Sequence, residues 1–205
     1  FSKTKETVRR IVDDTPFTEL EAYYRLFELI PPDTTLYMGN SLPVRYLNLL
    51  AFKPLRAFSN RGVSGIDGAL SSAMGFASVS DSPVTAVIGD LGFLYELSAA
   101  FLSASFKKLK TVIFNNRGGG IFSFIEKTDK EKIFSTYFEL SHNLTFERIA
   151  EQNRTPYISA ANREEFLEGL ERFSHSSPPL IFEVVTETDL NKRAYDTLFS
   201  ALTAL

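Results

Sequence analysis

Two stretches decide the fold: Val84-Thr85-Ala86-Val87-Ile88-Gly89-Asp90-Leu91-Gly92, and Thr111-Val112-Ile113-Phe114-Asn115-Asn116-Arg117-Gly118-Gly119-Gly120. Each opens as a short, continuously apolar run rich in β-branched residues and stops at a Gly or Asn beside a polar side chain. A strand reads this way when helices cover both faces of its sheet, because neither face meets water. Between the two, Phe93 to Phe106 is apolar on most faces and has the length of a helix. A strand, a crossover helix and a parallel strand bring Asp90 and Asn116, 116 − 90 = 26 positions apart, to neighbouring strand ends on one edge of the sheet.

Outward from this unit the alternation continues. Thr35 to Gly39 and Leu180 to Thr186 read as strands, and Arg56 to Ser59 and Pro156 to Ser159 as weaker ones. Phe17 to Ile30 reads as a helix that starts after Thr15-Pro16 and stops at Pro31-Pro32. Asp67 to Val79 is small and apolar, while Arg163 to Phe173 and Leu190 to Leu202 are amphipathic. The predicted class is α/β, a parallel sheet with helices on both faces. One domain is expected over 16–205, with 1–15 as a lead-in from a preceding region. The first residue is not Met, which fits a piece of a longer chain.

The 205 residues carry 22 Lys and Arg against 25 Asp and Glu, a net charge of −3. That is not the basic field that nucleic-acid binding needs. No apolar run approaches the ~20 residues of a membrane span, and no basic run flanks an apolar helix, so no membrane insertion is expected. Cysteine is absent, which excludes disulfides, thiolate nucleophiles and Cys-bound metals. The absence is compatible with a reducing compartment, and the expected location is cytoplasmic.

Ligands of open parallel sheets gather beyond the carboxyl ends of the strands. Four such ends are rich in Gly, amides, Arg and carboxylate: GNSLPVR at 39–45, SNRGVSGIDG at 59–68, GDLGFLYEL at 89–97 and NNRGGGIFSF at 115–124. Two roles fit Asp90: N-cap of the helix that follows, or ligand of a hard cation such as Mg2+ together with Asn116. The glycines after Asn116 let a backbone carbonyl turn toward the same ion, although a Gly triplet also suits a plain flexible turn. Mg2+ held by few protein oxygens usually carries phosphates, and backbone amides near Gly92, at a helix start, suit such groups. The dinucleotide and Walker fingerprints are both missing.

Gly89-Asp90 followed by Asn115-Asn116 at this spacing resembles the thiamine diphosphate motif. There the Asp, the second Asn and a carbonyl two residues on hold the Mg2+ (or Mn2+) that grips the diphosphate. Carried onto this chain, the metal ligands are Asp90, Asn116 and Gly118. Taken together, the four strand-end motifs, from about Leu36 to Phe124, resemble the C-terminal diphosphate-binding domain of one family. It is the MenD-type 2-succinyl-5-enolpyruvyl-6-hydroxy-3-cyclohexene-1-carboxylate (SEPHCHC) synthases of menaquinone and phylloquinone biosynthesis. Beyond Ile125 the likeness is one of order and length.

The resemblance implies a thiamine diphosphate-dependent transferase, a carboligase that decarboxylates 2-oxoglutarate and adds the succinic-semialdehyde unit to isochorismate. It implies substrate contacts from Ser41, Arg45, Arg61, Ile121 and Phe122. The arginines would take carboxylates, and Ile121 and Phe122 would form an apolar wall. It implies cofactor contacts from Asn40, Gly65, Ile66, Gly89, Leu91 and Gly92, with Ile66 propping the cofactor in a bent shape. A solvated surface position is the alternative for each Arg, and core packing is the alternative for Ile66, Ile121 and Phe122. No catalytic residue is expected in this chain. In the family the Glu that activates the cofactor lies in a separate pyrimidine-binding domain, usually of the partner subunit, which implies a homodimer and an isolated domain that is inactive alone.

Three positions depart from the family pattern: Gly92 where Ser is frequent, Arg117 where a neutral residue is common, and Glu96 where Asp is usual. His142 and His175 lie outside the matched motifs and read as structural or exposed. Two other functions fit less closely. One is a relative of acetolactate synthase, which has less need of two arginines. The other is a non-catalytic oligomerisation domain, against which Asp90 and Asn116 both argue.

Overall fold

The computed structural model describes residues 2–124, 137 and 139–204. Six strands form one sheet: β1 (Thr35–Met38), β2 (Arg56–Ser59), β3 (Val84–Gly89), β4 (Leu109–Asn115), β5 (Tyr157–Ala160) and β6 (Leu180–Val185). They lie in the order β2-β1-β3-β4-β6-β5, and every neighbouring pair is parallel. The continuously apolar strands β3 and β4 hold the centre. Their side chains alternate between the two faces: Val87, Val112 and Phe114 enter one core, and Ile88 and Ile113 the other. Covering both faces removes each such residue from water, at about 1.5–3 kcal/mol for a fully buried Val, Ile or Phe.

Nine helices of the described residues cover the sheet. On one face lie α1 (Ser2–Asp14), α2 (Glu19–Leu29), α3 (Leu42–Leu50), α8 (Arg163–His175) and α9 (Thr188–Thr203). On the other lie α4 (Ala69–Val79), α5 (Asp90–Tyr95), α6 (Leu97–Leu102) and α7 (Glu147–Gln152). The stretch read as a lead-in is helix α1, which buries Val8, Ile11 and Val12 in the first of these cores. Arg163 ties α8 to it: its guanidinium meets the fully buried Glu21 at 2.9 Å and donates to the Thr15 carbonyl at 2.7 Å. Among the described residues no helix is long and apolar enough to cross a membrane.

Two helix boundaries differ from expectation for identifiable reasons. The helix expected from Phe17 begins at Glu19, with Thr18 in extended conformation at its N-cap position, because Thr15 instead closes α1 through its N–H to Ile11. The helix expected over 93–106 is broken at Glu96 (φ −118°, ψ 32°) into α5, α6 and a 3-10 turn over Ser103–Ser105. Glu96 leaves helical geometry while its side chain is engaged elsewhere. Its carboxylate accepts from Leu70 N–H, Ser71 N–H and the Ser71 hydroxyl at 2.7–2.8 Å. Those are unpaired donors at the start of α4, whose N-cap Gly68 has no side chain to offer.

Candidate cofactor site

The chain proceeds from β1 outward to β2, then returns to β3 on the other side of β1. The strand order therefore reverses between β1 and β3, and open α/β sheets hold ligands in the crevice at such a point. A cleft of about 670 Å³, counted out to its mouth, opens there. The end of β1 contributes Gly39, Asn40 and Ser41, and the end of β3 contributes Gly89, Asp90, Leu91 and Gly92. From the end of β4 come Asn116, Gly118, Ile121 and Phe122, and Ile66 enters from the loop before α4. Ser41 turns the chain at φ 73°, a backbone most side chains avoid, in order to start α3 at the cleft wall.

Arg45, Arg61 and Gly65 do not line the cleft; each is bonded to a residue that does or joins the turn beside it. Arg61 Nη1 donates to Asn40 Oδ1 at 2.9 Å, and Arg45 Nη1 donates to the Ser41 carbonyl at 2.8 Å. Asn40 Nδ2 bridges the Asn60 and Gly65 carbonyls at 2.7 and 2.6 Å, which fixes the 60–65 loop against the end of β1. Both arginines are exposed.

Asp90 is 2% exposed. Its Oδ1 accepts from Leu91 N–H at 2.7 Å and its Oδ2 from Gly118 N–H at 2.8 Å, so the turn after β4 is drawn onto the end of β3. Burial pushes its pKa up to about 7, against the opposing effect of these backbone donors. Asn116 donates from Nδ2 to Glu19 Oε1 at 2.9 Å, while its Oδ1 is buried with no protein partner. A buried acceptor left open is costly unless something outside the protein fills it. A carboxyl, an open amide oxygen and a backbone carbonyl are the donor types a hard cation takes, and Asp90, Asn116 and Gly118 supply one of each around the cleft. The residues present therefore fit the implied metal. Among the described residues no cluster of three His, Asp or Glu could hold a metal, and this set, with one carboxylate, does not require one.

Two residues that the sequence reading did not assign to the site stand here, Glu19, which it passed over, and His142. Glu19, 1% exposed, lines the cleft at the head of α2; burial pushes its pKa up to about 8, and its Oε2 has no protein partner. It is the first position of the helical stripe Glu19, Tyr23, Leu26, Phe27 and Ile30, and a carboxylate on such an apolar stripe was the available signal. His142, read as structural or exposed, brings Nε2 to 3.2 Å from Asp90 Oδ2, an approach outside hydrogen-bond angle. Leu144 N–H donates to its Nδ1, which places the ring proton on Nε2, and burial pushes its pKa down. The segment is held by His142 N–H to the Arg117 carbonyl and by Gly119 N–H to the Glu139 carbonyl.

The three departures now have physical settings. A Cβ at Gly92 would lie 3.1 Å from the Ile66 carbonyl, so the glycine matches the close approach of that loop. Arg117 lies outside the cleft, its guanidinium 3.6 Å from Glu187 across an exposed groove. Glu96 caps α4.

An all-parallel α/β domain with these strand ends belongs to the class that holds phosphorylated ligands at the sheet's carboxyl edge. The particular family follows from comparison with known proteins. The family described as thiamine pyrophosphate enzyme, C-terminal TPP binding domain, matches residues 30–184, and the chain belongs to it. The chain is 36% identical over 189 residues to the 2-succinyl-5-enolpyruvyl-6-hydroxy-3-cyclohexene-1-carboxylate synthase of Flavobacterium johnsoniae, covering 91% of this chain and 34% of that protein. It is similar to the proteins of the same name from Chlorobium phaeovibrioides (34% over 203 residues, 97% and 35% of the two chains). The Geobacillus thermodenitrificans protein of that name is 37% identical over 186 residues, 88% and 31% of the two chains. The chain thus spans about a third of the length of the curated relatives it matches.

Proposed function

We propose that this chain is the cofactor-binding domain of a SEPHCHC synthase. The reaction is decarboxylation of 2-oxoglutarate and addition of the succinic-semialdehyde unit to isochorismate in menaquinone or phylloquinone synthesis. The observation that supports it most is the cleft at the β1/β3 reversal, where Asp90 and the open oxygen of Asn116 converge with the Gly118 turn. Thiamine diphosphate, when bound, supplies the electron sink for decarboxylation. The chain's own residues bind and orient. Asp90, Asn116 and the Gly118 carbonyl hold Mg2+ or Mn2+, and through it the diphosphate. Gly89 and Gly92 stand beside that group at the start of α5, Gly89 with open space at its Cβ position and Gly92 packed against the Ile66 carbonyl, whereas the Leu91 amide is engaged by Asp90 itself. Asn40, Gly65 and Ile66 shape the cofactor's side of the cleft, and Ile121 and Phe122 wall the space beside it.

Arg45 and Arg61, with Ser41, take the carboxylates of the two anionic substrates, since a guanidinium stays charged and binds a carboxylate with two parallel bonds. The activating Glu comes from a pyrimidine-binding domain of the same enzyme, in a cytoplasmic homodimer. In the full-length enzyme, Arg45→Ala and Arg61→Ala should each lower kcat/KM roughly ten- to a hundredfold, the weight of a charge-assisted hydrogen bond of about 1.5–3 kcal/mol. Thiamine diphosphate affinity should stay unchanged. A fall in cofactor affinity with unchanged KM for 2-oxoglutarate and isochorismate would assign the arginines to the diphosphate instead.

A further inference from the structure

Asn116 is an asymmetric ligand. One end of its amide is an oxygen that suits a cation, the other an NH2 that repels it, and a half-turn of the side chain exchanges them. What decides between the two is Glu19. Its Oε1 accepts from Asn116 Nδ2 at 2.9 Å, with both side chains buried. Held by that bond, Asn116 turns Oδ1 away from Glu19, where it has no protein partner. Gly120 walls the amide from another side, since a Cβ there would fall 2.6 Å from Nδ2. Glu19 is itself anchored. Its N–H donates to Asn191 Oδ1 at 2.9 Å, and Asn191 Nδ2 donates to Thr186 Oγ1 at 2.9 Å. From the same end of α9, Thr188 Oγ1 donates to the Asn116 carbonyl at 3.0 Å, so the backbone that carries the amide is also fixed.

A half-satisfied carboxyl at the base of a cleft costs stability. We infer that Glu19 is a positioning residue for Asn116, fixing the amide so that its oxygen and not its NH2 faces the cation. This rests on the reading of Asp90, Asn116 and Gly118 as the metal site. Outer partners of this kind orient metal ligands, and their loss weakens metal binding about 10- to 100-fold.

A carboxylate that only attracted the cation would act through its charge, whereas a positioning carboxyl acts through an acceptor oxygen. Glu19→Gln keeps the oxygen and the shape and removes the charge; Glu19→Ala keeps neither. The test is titration of Mn2+ into the full-length enzyme saturated with thiamine diphosphate, with free Mn2+ read by electron paramagnetic resonance and folding checked by circular dichroism. Glu19→Gln should bind within about threefold of the wild type, and Glu19→Ala about 10- to 100-fold more weakly. If the alanine variant does not fold, Glu19→Leu removes the acceptor at similar volume. In an Asn116→Asp background, where the two terminal atoms are both oxygen, Glu19→Ala should cost nothing further. Glu19→Gln as weak as Glu19→Ala, or Glu19→Ala as tight as the wild type, would overturn the inference. Absence of Mn2+ uptake by the wild type would instead sink the metal-site reading beneath it.

Discussion

Asn115 and Asn116 are adjacent in the chain, yet each faces a buried carboxyl of a different kind. Asn115 donates to Glu183 Oε1 at 2.5 Å and to the Leu144 carbonyl at 2.9 Å, and its Oδ1 accepts from Arg117 N–H. Glu183 is fully buried, and its other oxygen accepts from Phe146 N–H and the Tyr157 hydroxyl. Every polar atom in that cluster has a use, and together they tie β4, β5, β6 and the start of α7. Asn116 faces Glu19, and there two buried oxygens, Asn116 Oδ1 and Glu19 Oε2, are left open beside the cleft. Incomplete hydrogen bonding alone does not mark a ligand site, since the buried Thr35 and Thr155 hydroxyls are also unpartnered and line no part of the cleft. The difference lies in open oxygens that converge on one cleft.

The sharpest challenge to this contrast is Glu183→Ala. It strands the buried Phe146 N–H, takes one of the two acceptors of Asn115 Nδ2 and leaves the half-buried Tyr157 hydroxyl without its partner, and should destabilise the protein by about 3 kcal/mol. At this size that lowers Tm by roughly 10 °C, as followed by thermal unfolding. A loss within about 0.5 kcal/mol, the range of an ordinary surface change, would mean the cluster is not the brace described.

The two carboxyls of the cleft, Asp90 and Glu19, should reveal themselves through pH. Burial holds Asp90 up to about 7 and Glu19 up to about 8 in the folded, metal-free protein, whereas the unfolded chain releases these protons near pH 4. Between about pH 4 and 8 the folded state therefore binds more protons than the unfolded one. Stability falls as pH rises through that window, and the loss is complete above it. A bound cation favours both anions and should flatten the slope, and Glu19→Gln should remove part of it. Tm measured at several pH values, with and without Mg2+ and thiamine diphosphate, checks this; equal slopes in the two conditions would contradict it.

Smaller effects sharpen the same distinction. Glu96→Ala removes the cap of α4 and should cost about 1–2 kcal/mol, seen in urea unfolding, with cofactor affinity unchanged in the molecules that remain folded. Arg117→Ala removes only an exposed ion pair at 3.6 Å and should alter stability by about 0.5 kcal/mol or less. It should leave cofactor binding alone.

The centre of the fold was legible because β3 and β4, buried on both faces, can only be written as apolar runs, and the strand ends because their glycines and amides interrupt those runs. Glu96 and Glu19 were harder to read for one shared reason. Each is a carboxylate inside an apolar helical pattern, and its partners, the start of α4 and the end of β4, lie far away in the chain. His142 reaches Asp90 because the 139–142 segment is bonded by its backbone to the turn after β4, and backbone bonds of that kind leave no periodicity in the side chains.

The central claim is tested most directly by Asn115→Ala and Asn116→Ala side by side in the full-length enzyme. Each is taken through calorimetric titration with thiamine diphosphate in Mg2+ and through thermal unfolding. Asn116→Ala should lose about tenfold or more in cofactor affinity while Tm stays within about 2 °C. Asn115→Ala should lose about 1–3 kcal/mol of stability with affinity within about threefold of the wild type. The crossed result, with Asn115→Ala losing the cofactor and Asn116→Ala losing the fold, would contradict the account.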